Sequence, residues 1–316
     1  MPSGAAAAAV ILLAILVPLS SVPASAAPRI VAAAGDVSPA SHRNDDDEVA
    51  AMIRSTIRPD ALLVLGDAQY DDGTREEFQT YYAHSWGVRA LAGITYPVPG
   101  NHEYGTGAGE SSRDPAAGYY AYFRRHAAVN PNGVARHAGY YSFRLGKWHV
   151  AAVNSQEGFA PDAEQVRWLE HTLARSDARC ELAYWHHPRS SSGKEHGGYE
   201  TMQPFWSAAV SGGVDVVLSS HEHLYERFSR MDVRGEHVSN GHGVPGARLF
   251  VVGTGGKGGS EGFGTPEPGS QVRWPAHGTA SVFGALRLRL AKRSYSWRML
   301  DVSGAVIDEG GPVSCH

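Results

Sequence analysis

Short apolar runs alternate with amphipathic stretches along this chain, and their lengths assign them to strands and helices. Residues 29–34 and 61–65 are apolar runs of strand length that each end in Gly-Asp, and residues 94–98 form a third that ends in Pro-Gly-Asn-His. Between them, Asp45, Asp46, Asp47 and Glu48 open a helix expected to reach Ile57, because acidic side chains in a first turn complement the helix dipole. A polar helix is expected over 74–84 and an aromatic one over 119–127, the latter after a Gly-rich excursion at 105–118. Residues 140–144 and 148–154 read as a hairpin around Gly146, followed by a helix to about Arg175 with Asp162 as its cap. Later strands are expected at 181–185, 214–219, 248–252, 282–290 and 294–301. The last three adjoin without helices, so the early half predicts βαβ units and the late half antiparallel pairing.

Composition narrows this picture. The chain has 316 residues, 42% hydrophobic and 19% charged, enough to bury a substantial core. Its formal charge of −4, without a Lys/Arg block, offers no electrostatic footprint for a nucleic acid. At the N-terminus, an apolar run over 5–17, the breaker Pro18 and the small residues Ala24, Ser25 and Ala26 ahead of Pro28 read as a secretory signal over residues 1–27. The run lacks a preceding Lys or Arg, so an uncleaved anchor stays open beside cleavage. No composition shift or linker divides residues 28–316, which are expected to form one domain. Cys180 and Cys315 could be joined in an exported protein or remain two thiols; spacing does not decide.

The chemistry sits where strands stop. Asp36, Asp67, Asn101, His186 and the pair His221 and His223 all follow buried-looking strands, and in open α/β sheets such strand ends converge on one crevice. One Asp after Gly is ordinarily a turn residue, and one loop His is ordinarily solvated. Five such tips in succession point to a metal site.

Their order and local spelling resemble the calcineurin-like metallophosphoesterase superfamily, and within it the purple acid phosphatase branch. The matching segments are Gly35-Asp36, Gly66-Asp67-Ala68-Gln69-Tyr70, Gly100-Asn101-His102-Glu103, Ala183-Tyr184-Trp185-His186 and His221-Glu222-His223 with Leu224-Tyr225-Glu226-Arg227 after it. The resemblance implies an α/β (α+β) fold, a four-layer αββα sandwich of two mixed sheets flanked by helices. It implies two metal ions, the first held by Asp36, Tyr70 and His223, the second by Asn101, His186 and His221, with Asp67 bridging. Tyr70 in place of a histidine near Asp36, where Ser38 stands, implies Fe(III) at the first site, with Fe(II), Zn or Mn at the second. His102 is implied to contact the substrate phosphate, where a protonated imidazole could stabilise the developing charge or protonate the leaving alkoxide, and His196 is implied to line the substrate pocket.

Physical chemistry asks for these residue types independently. A shared carboxylate offsets repulsion between neighbouring cations, a neutral Asn oxygen keeps the site positive enough for phosphate, and metal ions acidify water for in-line attack on phosphorus. His187, beside His186, is expected to point away if strand alternation persists. Ser219 and Ser220 stand where the family usually has Gly, which restricts positive φ there. The loop Gly253-Thr254-Gly255-Gly256-Lys257-Gly258 mimics a phosphate loop but lacks the Ser or Thr for magnesium, so it is expected to border the pocket. The expected function is an exported phosphomonoesterase acting on a small phosphate ester, with phosphodiester or nucleotide hydrolysis as the alternative, and a non-catalytic binding protein as the remaining reading. Neither a nucleic-acid partner nor a membrane span after signal removal is expected, and nothing in the sequence sets an oligomeric state.

Overall fold

The computed structural model describes Met1 and residues 27–39, 45–105, 115–128, 138–158, 160–238, 245–276, 278 and 280–316. Most of the expected signal segment and most of the Gly-rich excursion lie outside the described residues. One sheet has six strands, β1 (Arg29–Ala34), β2 (Ala61–Val64), β3 (Thr95–Pro97), β11 (Gly284–Leu290), β12 (Ser294–Asp301) and β13 (Val306–Ser314), in the order β13-β12-β11-β1-β2-β3. The other has seven, β4 (Tyr141–Leu145), β5 (Trp148–Ala152), β6 (Cys180–Tyr184), β7 (Val216–Ser219), β8 (Tyr225–Met231), β9 (Ala247–Val252) and β10 (Ser270–Trp274), in the order β10-β8-β9-β7-β6-β5-β4. Both sheets are mixed: β1, β2 and β3 run parallel, as do β5, β6, β7 and β9, and the remaining pairs are antiparallel.

The central strands β6, β7 and β9 of the seven-stranded sheet read as nearly continuous apolar runs because both of their faces are covered. Leu182, Val216, Leu218, Phe250 and Val252 join the core shared with the six-stranded sheet, while the alternating Ala183, Val217, Leu249 and Val251 pack under α5 (Glu164–Ala174) and α6 (Gln203–Ser211). On the other side, α1 (Asp45–Met52), continued by a π-helical turn at Ile53–Ile57, packs near β1 and β11. Next to it in sequence come α2 (Arg75–Thr80), the short α3 (Arg89–Ala92) and α4 (Ala117–His126). Two mixed sheets between helical layers are the four-layer arrangement that the resemblance implied.

Two local expectations are corrected. Asp162 does not cap α5: the N-cap is Ala163, with no side-chain hydrogen bond, so Asp162 stands one residue too early. The helix expected over 74–84 divides, with Thr74 and Glu77 forming a reciprocal capping box at the start of α2 and a separate 3₁₀ turn at Tyr82–His84. A disulfide joins Cys180, at the start of β6, to Cys315, just past β13, and so ties the two sheets together.

Candidate metal centre

The parallel strands β1, β2, β3, β6 and β7 deliver their C-terminal tips to one buried place between the sheets. There the Tyr70 hydroxyl lies 2.9 Å from Asp36 Oδ1, 3.1 Å from Asp67 Oδ2 and 3.2 Å from His223 Nε2. A second group centres on His186 Nε2, which lies 3.0 Å from Asn101 Oδ1, 3.0 Å from His221 Nδ1 and 3.3 Å from Asp67 Oδ2. All seven expected ligands are therefore brought together, in two nests that share one carboxylate oxygen of Asp67.

The backbone is bent to achieve this. Asp36, Asp67 and His221 hold φ of 56°, 45° and 74°, a left-handed conformation that costs a non-glycine residue about 1–3 kcal/mol. Hydrogen bonds from Asp36 N to Gly66 O and from His221 N to Asp36 Oδ2 hold two of these residues there. Gly100 is required for close approach, because a Cβ there would sit 2.2 Å from Asp67 Oδ1. The positive φ falls on His221 and not on the serines before it. Ser220 instead contributes its hydroxyl, which donates to Leu65 O at 2.6 Å and lies 2.9 Å from His186 Nδ1. With Nδ1 directed at Ser220 and Leu65 O, His186 keeps Nε2 turned toward Asn101 and Asp67.

His187 does not point away, which corrects the expectation from alternation. β6 ends at Tyr184, so the strand period no longer governs residues 186 and 187. The His187 ring packs 4.5 Å from that of His221, and its Nδ1 lies 2.9 Å from Ser155 Oγ.

Electrostatics of the cluster follow from burial. Burial pushes the Asp36 carboxyl up to about 7, whereas in Asp67 the same penalty is outweighed by His186, which holds that carboxyl far below the usual range. His186 is raised to about 9, burial being overcome by Asp67, and burial lowers His223 to about 4. Burial and the two carboxylates together push the Tyr70 phenol well above its ordinary value. The two buried carboxyls meet imidazoles, a phenol, the Asn101 amide and the backbone N–H groups of His102 and His221, and among the described residues His223 Nδ1 is buried without a hydrogen-bond partner. Hard oxygen donors converging with borderline imidazoles in a buried site fit a pair of di- or trivalent cations. A third group, Cys180, Asp215 and Cys315, offers no such site because its sulfurs are joined in the disulfide.

His102 and His196 stand over the nests. The His102 ring packs 4.2 Å from that of Tyr70, with Nδ1 against Asp71 O and Nε2 4.0 Å from Asp67 Oδ2. His196 stacks on His221 with ring centroids 4.2 Å apart.

A model of the calcineurin-like phosphoesterase family matches residues 31–225, the stretch that carries every strand tip described above. The chain belongs to the calcineurin-like phosphoesterase family. It is 28% identical over 218 residues to purple acid phosphatase 15 of Arabidopsis thaliana, covering 60% of this chain and 39% of that protein. It is likewise 28% identical over 265 residues to phosphoenolpyruvate phosphatase of Allium cepa, covering 76% and 52%. The chain thus spans about half or less of these relatives. The solved purple acid phosphatase PPD1 of yellow lupin (Lupinus luteus) superposes with a TM-score of 0.71 at 18% identity, over 89% of this chain and 53% of that one. GAP50, described as the anchor in the inner membrane complex of Plasmodium, superposes at 0.61 with 13% identity, over 92% and 90%. At these identities both structures speak for the fold alone.

Around these nests several residues hold positions that sequence reasoning did not assign. Glu103 lies in the Gly-Asn-His-Glu segment, and its carboxylate accepts from Gly100 N at 2.7 Å and Gln69 N at 3.1 Å, clasping the Asp67–Tyr70 loop to the Asn101 loop. Burial pushes that carboxyl up to about 8. Glu222 Oε1 accepts from His196 N at 2.7 Å and from Gly197 N, and Glu226 accepts from Ser191, Ser192 and Ser270. The loop carrying Glu195 and His196 is therefore pinned by Glu222, which lies between His221 and His223, and by Glu226, three residues after His223. Tyr199 Oη lies 2.8 Å from His221 Nε2, and Lys257 Nζ sits 4.8 Å from the centre of the Tyr70 ring, placing the 253–258 loop at the pocket border as expected. Glu103, Glu222 and Glu226 all lay inside recognised motifs; Tyr199 had no local signal.

Proposed function

We propose that residues 28–316 form one catalytic domain of an exported phosphomonoesterase whose two metal ions are held by the seven converged side chains. The observation that carries this reading is the pair of donor nests meeting at Asp67 Oδ2. Asp36, Tyr70 and His223 would hold the first ion, Asn101, His186 and His221 the second, with Asp67 shared; the phenol favours Fe(III) in the first set, and the second suits Fe(II), Zn or Mn. Bound there, the pair would neutralise phosphate charge and supply an acidified water as nucleophile.

The chain's own residues do the remaining work. His102, its Nδ1 against Asp71 O, presents Nε2 to the site and protonates the departing alkoxide. The Lys257 ammonium borders the same opening and offsets the negative charge of an incoming ester, and His196, stacked on His221, presents its imidazole there as a hydrogen-bonding group. The disulfide agrees with an oxidising destination, and no described helix is long and apolar enough to cross a membrane.

The test is turnover of p-nitrophenyl phosphate beside its bis ester, with metal content measured on the same preparation. Monoester hydrolysis with about two metals per chain, lost on chelation, is expected. Faster diester turnover would replace the substrate class, and full metal loading without hydrolysis of either ester would overturn the enzymatic reading. Sequencing of exported protein should find the mature terminus close to Pro28.

A further inference from the structure

A second polar cavity lies away from the metal ligands, between α2 and α4. It encloses about 500 Å³ and is lined by Arg75 and Gln79 of α2, by Ala83 and Gly87, and by Ala121, Tyr122, Arg124 and Arg125 of α4. Its floor is aromatic and firm: the Tyr122 ring stacks on buried Phe78 at 5.0 Å and meets the Tyr82 and Phe123 rings edge-on. The small side chains of Ala83, Gly87 and Ala121 leave the space above that floor open.

The charge of the lining is one-sided. Three arginines and no acidic residue line the cavity. Among the described residues, none of Arg75, Arg124 and Arg125 has an ion pair or a side-chain hydrogen bond. Glu77, on α2 two residues after Arg75, is engaged elsewhere: its carboxylate accepts from Asp71 N and Thr74 N. Guanidinium groups left unpaired around a concave site are suited to bidentate recognition of phosphate oxygens. The size and charge exceed what one orthophosphate requires.

We propose that this groove is a binding site for a small polyanion of the oligophosphate class, separate from the metal centre and independent of the hydrolytic reading. The probe is inorganic tripolyphosphate, titrated calorimetrically into Asp67→Asn protein so that the metal centre neither binds nor consumes it. One site per chain is expected at 0.15 M salt, weakened about tenfold or more when Arg124→Gln and Arg125→Gln are added. Should Asp67→Asn not fold, the same comparison is made in otherwise wild-type protein with the metal centre saturated by orthovanadate. Absence of binding at 0.15 M salt, or binding that the arginine changes leave untouched, would overturn the proposal.

Discussion

His186 and His187 are chemically identical neighbours, and only their surroundings separate them. His186 has its Nδ1 directed at Ser220 and Leu65 O, which leaves Nε2 toward the shared carboxylate; His187 is held by Ser155. His186→Ala is expected to remove metal and hydrolysis together, whereas His187→Ala should cost about 10–100-fold, the size typical of residues that support a ligand. Equal losses would contradict the assignment. Glu222 offers a sharper contrast because a single oxygen accepts both loop amides. Glu222→Gln keeps a carbonyl there and is expected to resemble wild type. Glu222→Val leaves two amides unsatisfied, and KM should rise roughly tenfold with kcat and metal content little changed. Tyr70→Phe is expected to abolish any phenolate-to-iron band in the visible spectrum of the iron-loaded protein; a band that survives would exclude Tyr70 as its source.

At the scale of elements, what could be read in advance depended on whether one face or two were buried. β1, β2, β6 and β7 announce themselves as apolar runs, but β13 contains Gly310-Gly311-Pro312 and reads as a turn. It survives as an edge strand, where a proline removes no interior ladder hydrogen bond. α6 and β8 were likewise not anticipated, since β8 passed as the tail of the His-x-His motif. β13 is secured by Asp308, whose carboxylate accepts from Tyr225 Oη, Arg227 Nε and Trp297 Nε1 at 2.7, 2.7 and 2.9 Å. Burial would raise this carboxyl, but those donors prevail and hold it below the ordinary 3.8. The unfolded chain therefore binds the proton more tightly, so the stabilisation is complete above that value and is lost as pH falls through the lower, folded one. Asp308→Asn is expected to cost about 2 kcal/mol at pH 7 in urea unfolding, with the difference from wild type closing below about pH 4. A constant difference down to pH 2 would contradict this.

Across the whole molecule, the disulfide spans 135 residues and fastens the outer edge of one sheet to a strand of the other. Cys315→Ser is expected to lower stability by roughly 2–4 kcal/mol while leaving turnover at moderate temperature unchanged, since neither sulfur approaches the metal centre. Identical unfolding midpoints for the two proteins would show the bond to be dispensable. Residue chemistry and order were set by the sequence alone: the strand tips, the seven ligand-type side chains and the absence of a basic tract are all local features, legible because strand burial imposes a pattern on consecutive residues. Which tips meet is decided by the crossing of two sheets over hundreds of residues, and no local pattern encodes that. Tertiary structure alone brought Asp67 between both nests, turned His187 inward once β6 had ended, directed the Ser220 hydroxyl at His186, joined the two cysteines and gathered three arginines around one cavity, because each of these depends on distances between segments remote in the chain.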